Sequence, residues 1–520
     1  MFDLAIVGCG PVGAVAGNLA GRAGLSTVIL ERAPTIFELP RAIHFDAHIM
    51  RILHEAGVAH DVMPDLRVWK RSTFYGADSA PIRVHEWPAV RPYGWDAHYL
   101  FYQPTLEAVL RKGLDRYAQV DTRLSTEVAA VEQSEDHVTV VARDLNTGET
   151  SRVTARYLVG ADGASSFVRN HEGVSLVDGA FDEPWLVVDL LCDRQLGRPD
   201  ESEMFCNPAR PSTRVPGPGR HHRWEFMLLP GESAEEMQRP DSVEALLAPW
   251  VRPDEVTVIR ASVYRFHSLI ARRWRNGRVF LAGDAAHQTP PFLGQGMCHG
   301  IRDAQNLVGK LTAVLAGGPS EVLLNAYESE RRPHVEKIIE MAVASGREIC
   351  VLDPVAAAER DERIRRAAAS GDLPRTTFQG MPPLTGGALT ATPGAGELFP
   401  QPRVTHLREP AELFDDVFAP QVVLVAHHSA AAEVRATADG LSVPLVQWAS
   451  PGDEVTELAP GEGLVRDAHV CEWFDRHGSR CAIVRPDRYV YATSPTAQQA
   501  EAVLREACVL FPATSLASRR

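Results

Sequence analysis

No two of the eight cysteines, Cys9, Cys192, Cys206, Cys298, Cys350, Cys471, Cys481 and Cys508, stand at C-x-x-C spacing. That scatter removes a disulfide framework, a zinc ribbon and a redox dithiol from the expectations. Long apolar runs are missing as well: nothing approaches the ~18 residues of a membrane span. The opening MFDLAIVGCG has no basic stretch ahead of its apolar residues, so no secretory signal is expected. Both absences predict a cytoplasmic chain without a membrane partner. Positive charge is the scarcer sign, with 53 Lys and Arg against 67 Asp and Glu and a net charge of −14. That balance argues against nucleic acid or an anionic membrane surface as partner. No internal repeat or low-complexity tract appears. The adjacent pairs His221-His222 and His427-His428 read as loop histidines, because neighbours on a regular element point apart; no metal site is expected.

What is present begins at once. DLAIVG (3–8) reads as a strand, GCGPVG (8–13) as a turn, the following small residues to about Gly24 as a helix, and STVILE (26–31) as a second strand. In such a unit Gly8 permits the tight turn, Gly10 lets the backbone approach a pyrophosphate, and Gly13 lets helix and strand pack closely. Glu31 closes the second strand, where a carboxylate accepts hydrogen bonds from ribose hydroxyls, with Arg32 beside it. YLVGADGASSFVR (157–169) is a second strand, turn and helix, with Asp162 and Gly163 in its turn. A third follows in GDAAHQTPPFLGQGM (283–297): a short apolar strand, VFLAGD, runs into it and a helix, GIRDAQNLVGKL, runs out. That helix reads as amphipathic, with Ile301, Ala304, Leu307, Val308 and Leu311 on its inner face. A strand, a glycine-rich turn and a helix N-terminus suit an anion.

Between these pieces, residues ~73–97 and ~181–270 carry Trp, Arg and alternating apolar positions, as in EPWLVVDLLCD and HRWEFMLLP. They predict a mostly antiparallel substrate-binding β domain lying over the nucleotide fold. The nucleotide domain is then discontinuous, over 1–72, 98–180 and 271–350. A helical segment and a Pro- and Gly-rich connector occupy 351–400, and a small α/β unit occupies 401–520.

Taken together, GCGPVG with Glu31, GADG at 160–163 and GDAAHQTPP…GQGM resemble the three signatures of the FAD-dependent aromatic hydroxylases of the p-hydroxybenzoate hydroxylase type, over about the first 345 residues. LPRAIHFDAHIMRIL (39–53), YQPTLEAVLR (102–111), GIRDAQNLVGKL and GELFPQPRV are most similar to the 3-(3-hydroxyphenyl)propionate hydroxylases within that family. The resemblance implies an α/β fold: a Rossmann-like FAD domain, the inserted β domain and a thioredoxin-like C-terminal domain. It also implies noncovalent FAD, NADH or NADPH as a transient reductant, and O₂ transferred through a flavin C4a-hydroperoxide to a small phenolic substrate, ortho to its hydroxyl. The oligomeric state stays open between monomer and homodimer.

The anion at both ends of the cleft would be FAD. By the same resemblance Asp284 meets the ribityl chain, Gln103 and Arg41 touch the diphosphate or ribityl region, and the Gly294, Gly296 and Met297 backbone faces the pyrimidine edge behind Gly283 and Pro291. Expected pocket residues are Tyr102, Trp185, Pro291 and Phe292, with His44 and Asp46 as candidate acceptors of the phenolic proton. Cys298 stands where relatives usually have Asn, and His44 where they have a small residue, so the substrate is free to differ from the namesake. Two rival readings remain at this point. One is an oxygenase, hydroxylase or Baeyer–Villiger, tailoring a polyketide or antibiotic; the other is a flavin-binding protein without turnover.

Overall fold

The computed structural model describes residues 1–87, 89–371, 380–406, 411–455 and 458–513. Part of the expected connector and the end of the C-terminal unit therefore lie outside the described residues. Strand Phe2–Val7 is apolar and buried, and it pairs in parallel with Thr27–Leu30 on one side and with Thr150–Gly160 on the other. Val120–Arg123 extends this parallel sheet at one edge and Val279–Leu281 at the other. A parallel sheet is buried on both faces, which is why these strands read as continuous apolar runs. An antiparallel meander of Thr126–Gln133 and Val138–Asp144 returns onto Thr150–Gly160. Helices Pro11–Arg22 and Gly296–Leu315 pack against each other over this sheet.

The second sheet also has eight strands. It is antiparallel except where Glu201–Phe205 meets Arg71–Tyr75, and its centre is the long pair Leu176–Cys192 and Val256–Ala271. Strand His221–Met227 lies against Leu176–Cys192. Its two faces are different. Trp224 and Phe226 join Leu186, Val188 and Leu190 in an apolar cluster with Val243 and Leu247, whereas His221, Arg223, Glu225 and Met227 face the other way by the two-residue period of a strand. A third, three-stranded sheet of His44–Asp46, His98–Leu100 and Arg67–Val68 lies at the start of helix Ala47–Glu55.

The C-terminal unit has strand order Gly463–Val465, Leu445–Trp448, Val423–His427, Cys481–Val484, Val490–Ser494. The first three are parallel and the last two antiparallel, the arrangement of a thioredoxin-like domain, with Gly463–Val465 as an added edge that the sequence pattern did not suggest.

Helix Gly296–Leu315 is buried on its polar side too: Arg302, Asp303, Gln305, Asn306 and Lys310 are all inaccessible. Its polar side is an internal ionic surface. Lys310 Nζ donates to Glu330 at 2.7 Å, and Arg485 of the C-terminal unit donates to the same carboxylate at 2.9 and 3.0 Å. Asn306 bridges Glu330 and Asp487. Buried charges of this kind persist only when paired, and here both partners come from elements remote in sequence.

Candidate active site

The first turn shows three glycines in three different situations. Gly8 has φ +97°, and a Cβ there would collide with the Ala161 carbonyl; a Cβ on Gly13 would collide with the Gly8 carbonyl. Both positions are closed by packing. A Cβ on Gly10 would meet no protein atom within 4 Å, so this stretch of backbone borders open space. Gly10 also heads helix Pro11–Arg22 without a side-chain cap, which leaves the first-turn amides free for an anion. Glu31 accepts from the Cys9 amide at 2.6 Å and the Ala33 amide at 2.8 Å, fixing its carboxylate at the mouth of this turn. Arg32 next to it is exposed.

The second and third turns repeat the pattern. Asp162 accepts from Ser166 Oγ at 2.5 Å and the Val168 amide at 3.0 Å, while Gly163, at φ +80°, also borders open space. Gly283 adopts φ +62° and sits against Val12 and Gly300. Asp284 has a solvent-accessible side chain that is nonetheless enclosed by chain, and this desolvation raises its pKa. A carboxyl that is open yet surrounded lies at the floor of a cleft. Gly294 is left-handed at φ +63°, Gly296 faces open space, and helix Gly296–Leu315 starts at Gln295 without a side-chain cap. Two uncapped helix N-termini thus flank the cleft. The helix dipole places about half a positive charge at each, which suits a diphosphate at one end and an electron-rich ring edge at the other. These residues fit FAD.

Strand His44–Asp46 pairs with His98–Leu100 and brings His44 against the Gly294 turn. Asp46 is the N-cap of helix Ala47–Glu55, accepting from the amides of His48 at 3.1 Å and Ile49 at 3.2 Å. Its second oxygen takes hydrogen bonds from Arg302 Nη2 and, at 3.2 Å, from Gln295 Nε2. Arg302 in turn donates to Gln295 Oε1 at 3.0 Å and to His48 Nδ1 at 3.1 Å. Burial opposes the Asp46 charge, but Arg302 overcomes it and holds the carboxyl well below the usual range. Asp46 is therefore a fully engaged anion that fixes the Gly294–Gly296 turn through Gln295. His44 differs: its Nε2 lies 2.9 Å from His98 Nδ1, its ring meets Trp69 edge-on at 4.7 Å, and burial lowers its pKa to about 4. Gln103 binds no open space, since its Oε1 accepts from the Arg41 and Ala42 amides at 3.0 and 2.7 Å and its Nε2 donates to Glu107. It shapes the segment that carries Arg41, whose side chain is exposed and lies over Phe37.

The expected pocket residues separate into two places. Trp185 and Phe292 come together: their rings are 5.7 Å apart, both contact Phe266, and Phe181 meets Phe292 at 5.7 Å. This aromatic wall stands directly before the Gly294 turn, with exposed Pro291 at its edge. Tyr102 lies elsewhere, edge-on to His221 at 5.2 Å with its hydroxyl donating to the Glu38 carbonyl. Cys298 is buried and its thiol is pushed up by desolvation.

Sequence reasoning missed one cluster. Asp189, wholly inaccessible, accepts from His221 Nε2 at 2.8 Å, Arg223 at 2.8 and 3.1 Å, and Arg260 at 3.3 Å. Arg223 continues to the carbonyls of Arg41 at 2.7 Å and Pro40 at 3.0 Å, and Arg260 reaches Pro40 too. Two guanidiniums thereby fasten the β sheet to the segment leading into His44. The available signal was strand alternation, which puts Asp189, His221 and Arg223 on the cleft-side face.

Comparison with known proteins agrees with this geometry. Residues 1–342 match the family described as FAD binding domain, and residues 396–508 match the HcaD C-terminal domain. A "Probable NADH-specific resorcinol 4-hydroxylase" of Rhodococcus jostii strain RHA1 is 36% identical, with 97% of this chain and 94% of the relative covered. A 3-(3-hydroxy-phenyl)propionate/3-hydroxycinnamic acid hydroxylase of Burkholderia cenocepacia strain HI2424 is 34% identical over 96% of this chain and 95% of its own. Among solved structures, the flavin-dependent monooxygenase PieE with FAD and substrate superposes with TM-score 0.82 at 20% identity, covering 98% of this chain and 99% of that one. Aklavinone-11 hydroxylase with FAD and aklavinone gives 0.77 at 24%, again over 98% and 99%. The signatures, the cleft that the glycine turns leave open and these relatives agree: the chain belongs to the FAD-dependent aromatic hydroxylases.

Proposed function

We propose that this enzyme uses NADH and O₂ to hydroxylate a small phenol ortho to its hydroxyl, with the ring held against Trp185, Phe266 and Phe292. The observation that carries the reading is the position of that aromatic wall, contiguous through Phe292 with the Gly294–Met297 turn. Bound FAD would be held by the Gly8–Gly13 turn, Glu31, Asp162–Gly163, Asp284 and the Gly294–Met297 backbone, and it supplies electron transfer from the nicotinamide and activation of oxygen. The two relatives named above, one described as acting on resorcinol and the other on hydroxyphenylpropionate, support a phenolic substrate.

The protein's own part is to bind, orient and keep dry. Stacking and edge contacts with Trp185 and Phe292 orient the ring and exclude water from its face. His44, neutral at pH 7 and paired with His98, passes the phenolic proton away from the ring, which raises its electron density. Asp46, engaged by Arg302, positions the Gly294 turn instead of accepting that proton. The Asp189, Arg223 and Arg260 cluster holds Pro40 and Arg41, and so the strand bearing His44. The test is NADH oxidation measured together with hydroxylated product and peroxide, across phenolic acids and uncharged phenols. Stimulation with stoichiometric product is the expected result; NADH oxidation that no phenol accelerates would refute the reading.

A further inference from the structure

Outside the flavin cleft, the sequence left the pair His427-His428 unexplained, and the fold brings a third group to it. His427 closes strand Val423–His427 and His428 opens helix His428–Gly440. At such a junction neighbouring side chains need not diverge, and the two rings lie only 4.4 Å apart. Asp453, from a loop twenty-odd residues downstream, places Oδ2 at 3.5 Å from His427 Nε2 and 3.3 Å from His428 Nε2. The three donor atoms all fall within 4.8 Å of one another. These separations are long for N–H···O hydrogen bonds, which prefer about 2.7–3.2 Å. They match the edge of a tetrahedron around Zn²⁺: bonds of ~2.0–2.1 Å to nitrogen and ~2.0–2.2 Å to oxygen put neighbouring ligands about 3.3 Å apart.

We propose that His427, His428 and Asp453 form a binding site for a borderline divalent cation such as Zn²⁺, with water in the fourth position. Two imidazoles and one carboxylate are a donor set that such ions accept. The orienting contacts are in place. His427 Nδ1 lies 2.8 Å from the Ser429 hydroxyl, closer than the 3.3 Å contact from the Ser429 amide. With the proton on Nδ1 donating to that hydroxyl, Nε2 is the ligating atom. The Asp453 charge offsets the unfavourable positive end of the helix. In a thioredoxin-like domain the segment between first strand and first helix is where a redox dithiol would stand. Here it carries histidines and no cysteine, so the site binds a cation without electron chemistry.

The experiment uses the full-length FAD-loaded protein after chelator treatment, titrated with Zn²⁺ by calorimetry and with Co²⁺ by visible absorption. The wild type is expected to take one Zn²⁺ that His428→Gln and Asp453→Asn each weaken at least tenfold, and its Co²⁺ complex is expected to show the intense band of tetrahedral coordination. Circular dichroism and FAD content should be unchanged in both variants, which lie on an accessible loop and helix start. Equal binding by wild type and both variants, or no binding by the wild type, overturns the site.

Discussion

The N-terminal and C-terminal units both build parallel strands joined by helices, yet they treat the starts of those helices in opposite ways. At the cleft, helices Pro11–Arg22 and Gly296–Leu315 begin at Gly10 and Gln295 with no side-chain cap. In the C-terminal unit helices Ala468–His477 and Ala497–Leu510 are capped from within: Asp467 accepts from the amides of His469 and Val470, and Thr496 from that of Gln499. A capped N-terminus has its orphan amides satisfied and its dipole partly neutralised. An uncapped one next to open space holds them for a ligand. The same strand, turn and helix therefore becomes an anion site or a purely structural joint according to one or two residues at the turn.

Gly13→Ala should break the cofactor side of this comparison most severely. Its Cβ collides with the Gly8 backbone, so both FAD binding and folding should be lost, read as absence of flavin absorbance and of a cooperative thermal transition. Gly10→Ala is the sharper case, because its φ of −71° is ordinary and its Cβ meets only open space. The apoprotein melting point should be unchanged while FAD affinity falls at least tenfold; equal losses in both would show that the open space is not the flavin's.

Arg302→Met should come next. It leaves the Asp46 carboxylate buried without its cation, and breaking a buried pair costs about 3–5 kcal/mol, measurable by urea unfolding. The related cluster predicts a pH signature. Arg223 and His221 hold the Asp189 pKa down at about 2 against burial. A depressed carboxylate pKa gives stability that is complete above the unfolded value near 3.8 and is lost as pH falls toward 2. Asp189→Asn should flatten that part of the acid-unfolding curve relative to wild type, and an unchanged curve would remove the cluster from the account.

Glu31→Ala removes a charged acceptor for the ribose and should weaken FAD by roughly 1.5–3 kcal/mol, seen as a ten- to hundredfold higher dissociation constant with the apoprotein still folded. The smallest effect is expected in the C-terminal unit. Burial raises the thiol pKa of Cys471, Cys481 and Cys508. Changing all three to Ser should leave the rate of flavin reduction by NADH within twofold, and loss of reduction in the folded triple variant would assign that unit an electron-carrying role.

The sequence by itself determined what is local. Gly8, Gly10 and Gly13 declare a turn whose backbone constraints lie within six residues, and the alternation of strand and helix periods after it follows from short-range geometry. The three turns and the thioredoxin-like order of elements were legible or assignable by resemblance, whereas the meeting of Trp185 with Phe292 is a tertiary contact. The apolar face of Gly300–Leu311 was legible too, but the burial of its polar side was not, because polarity alone cannot tell a solvated face from one buried against matching charges. Only the tertiary structure brought Arg302 to Asp46, Arg223 and Arg260 to Asp189 and Pro40, Arg485 to Glu330, and Asp453 to His427 and His428. Each of these joins groups from separate elements, and a Coulombic pair between distant segments leaves no period or spacing in the chain. Its partners are fixed by how sheets and helices stack, which is decided by burial of the apolar faces and not by the charged residues themselves.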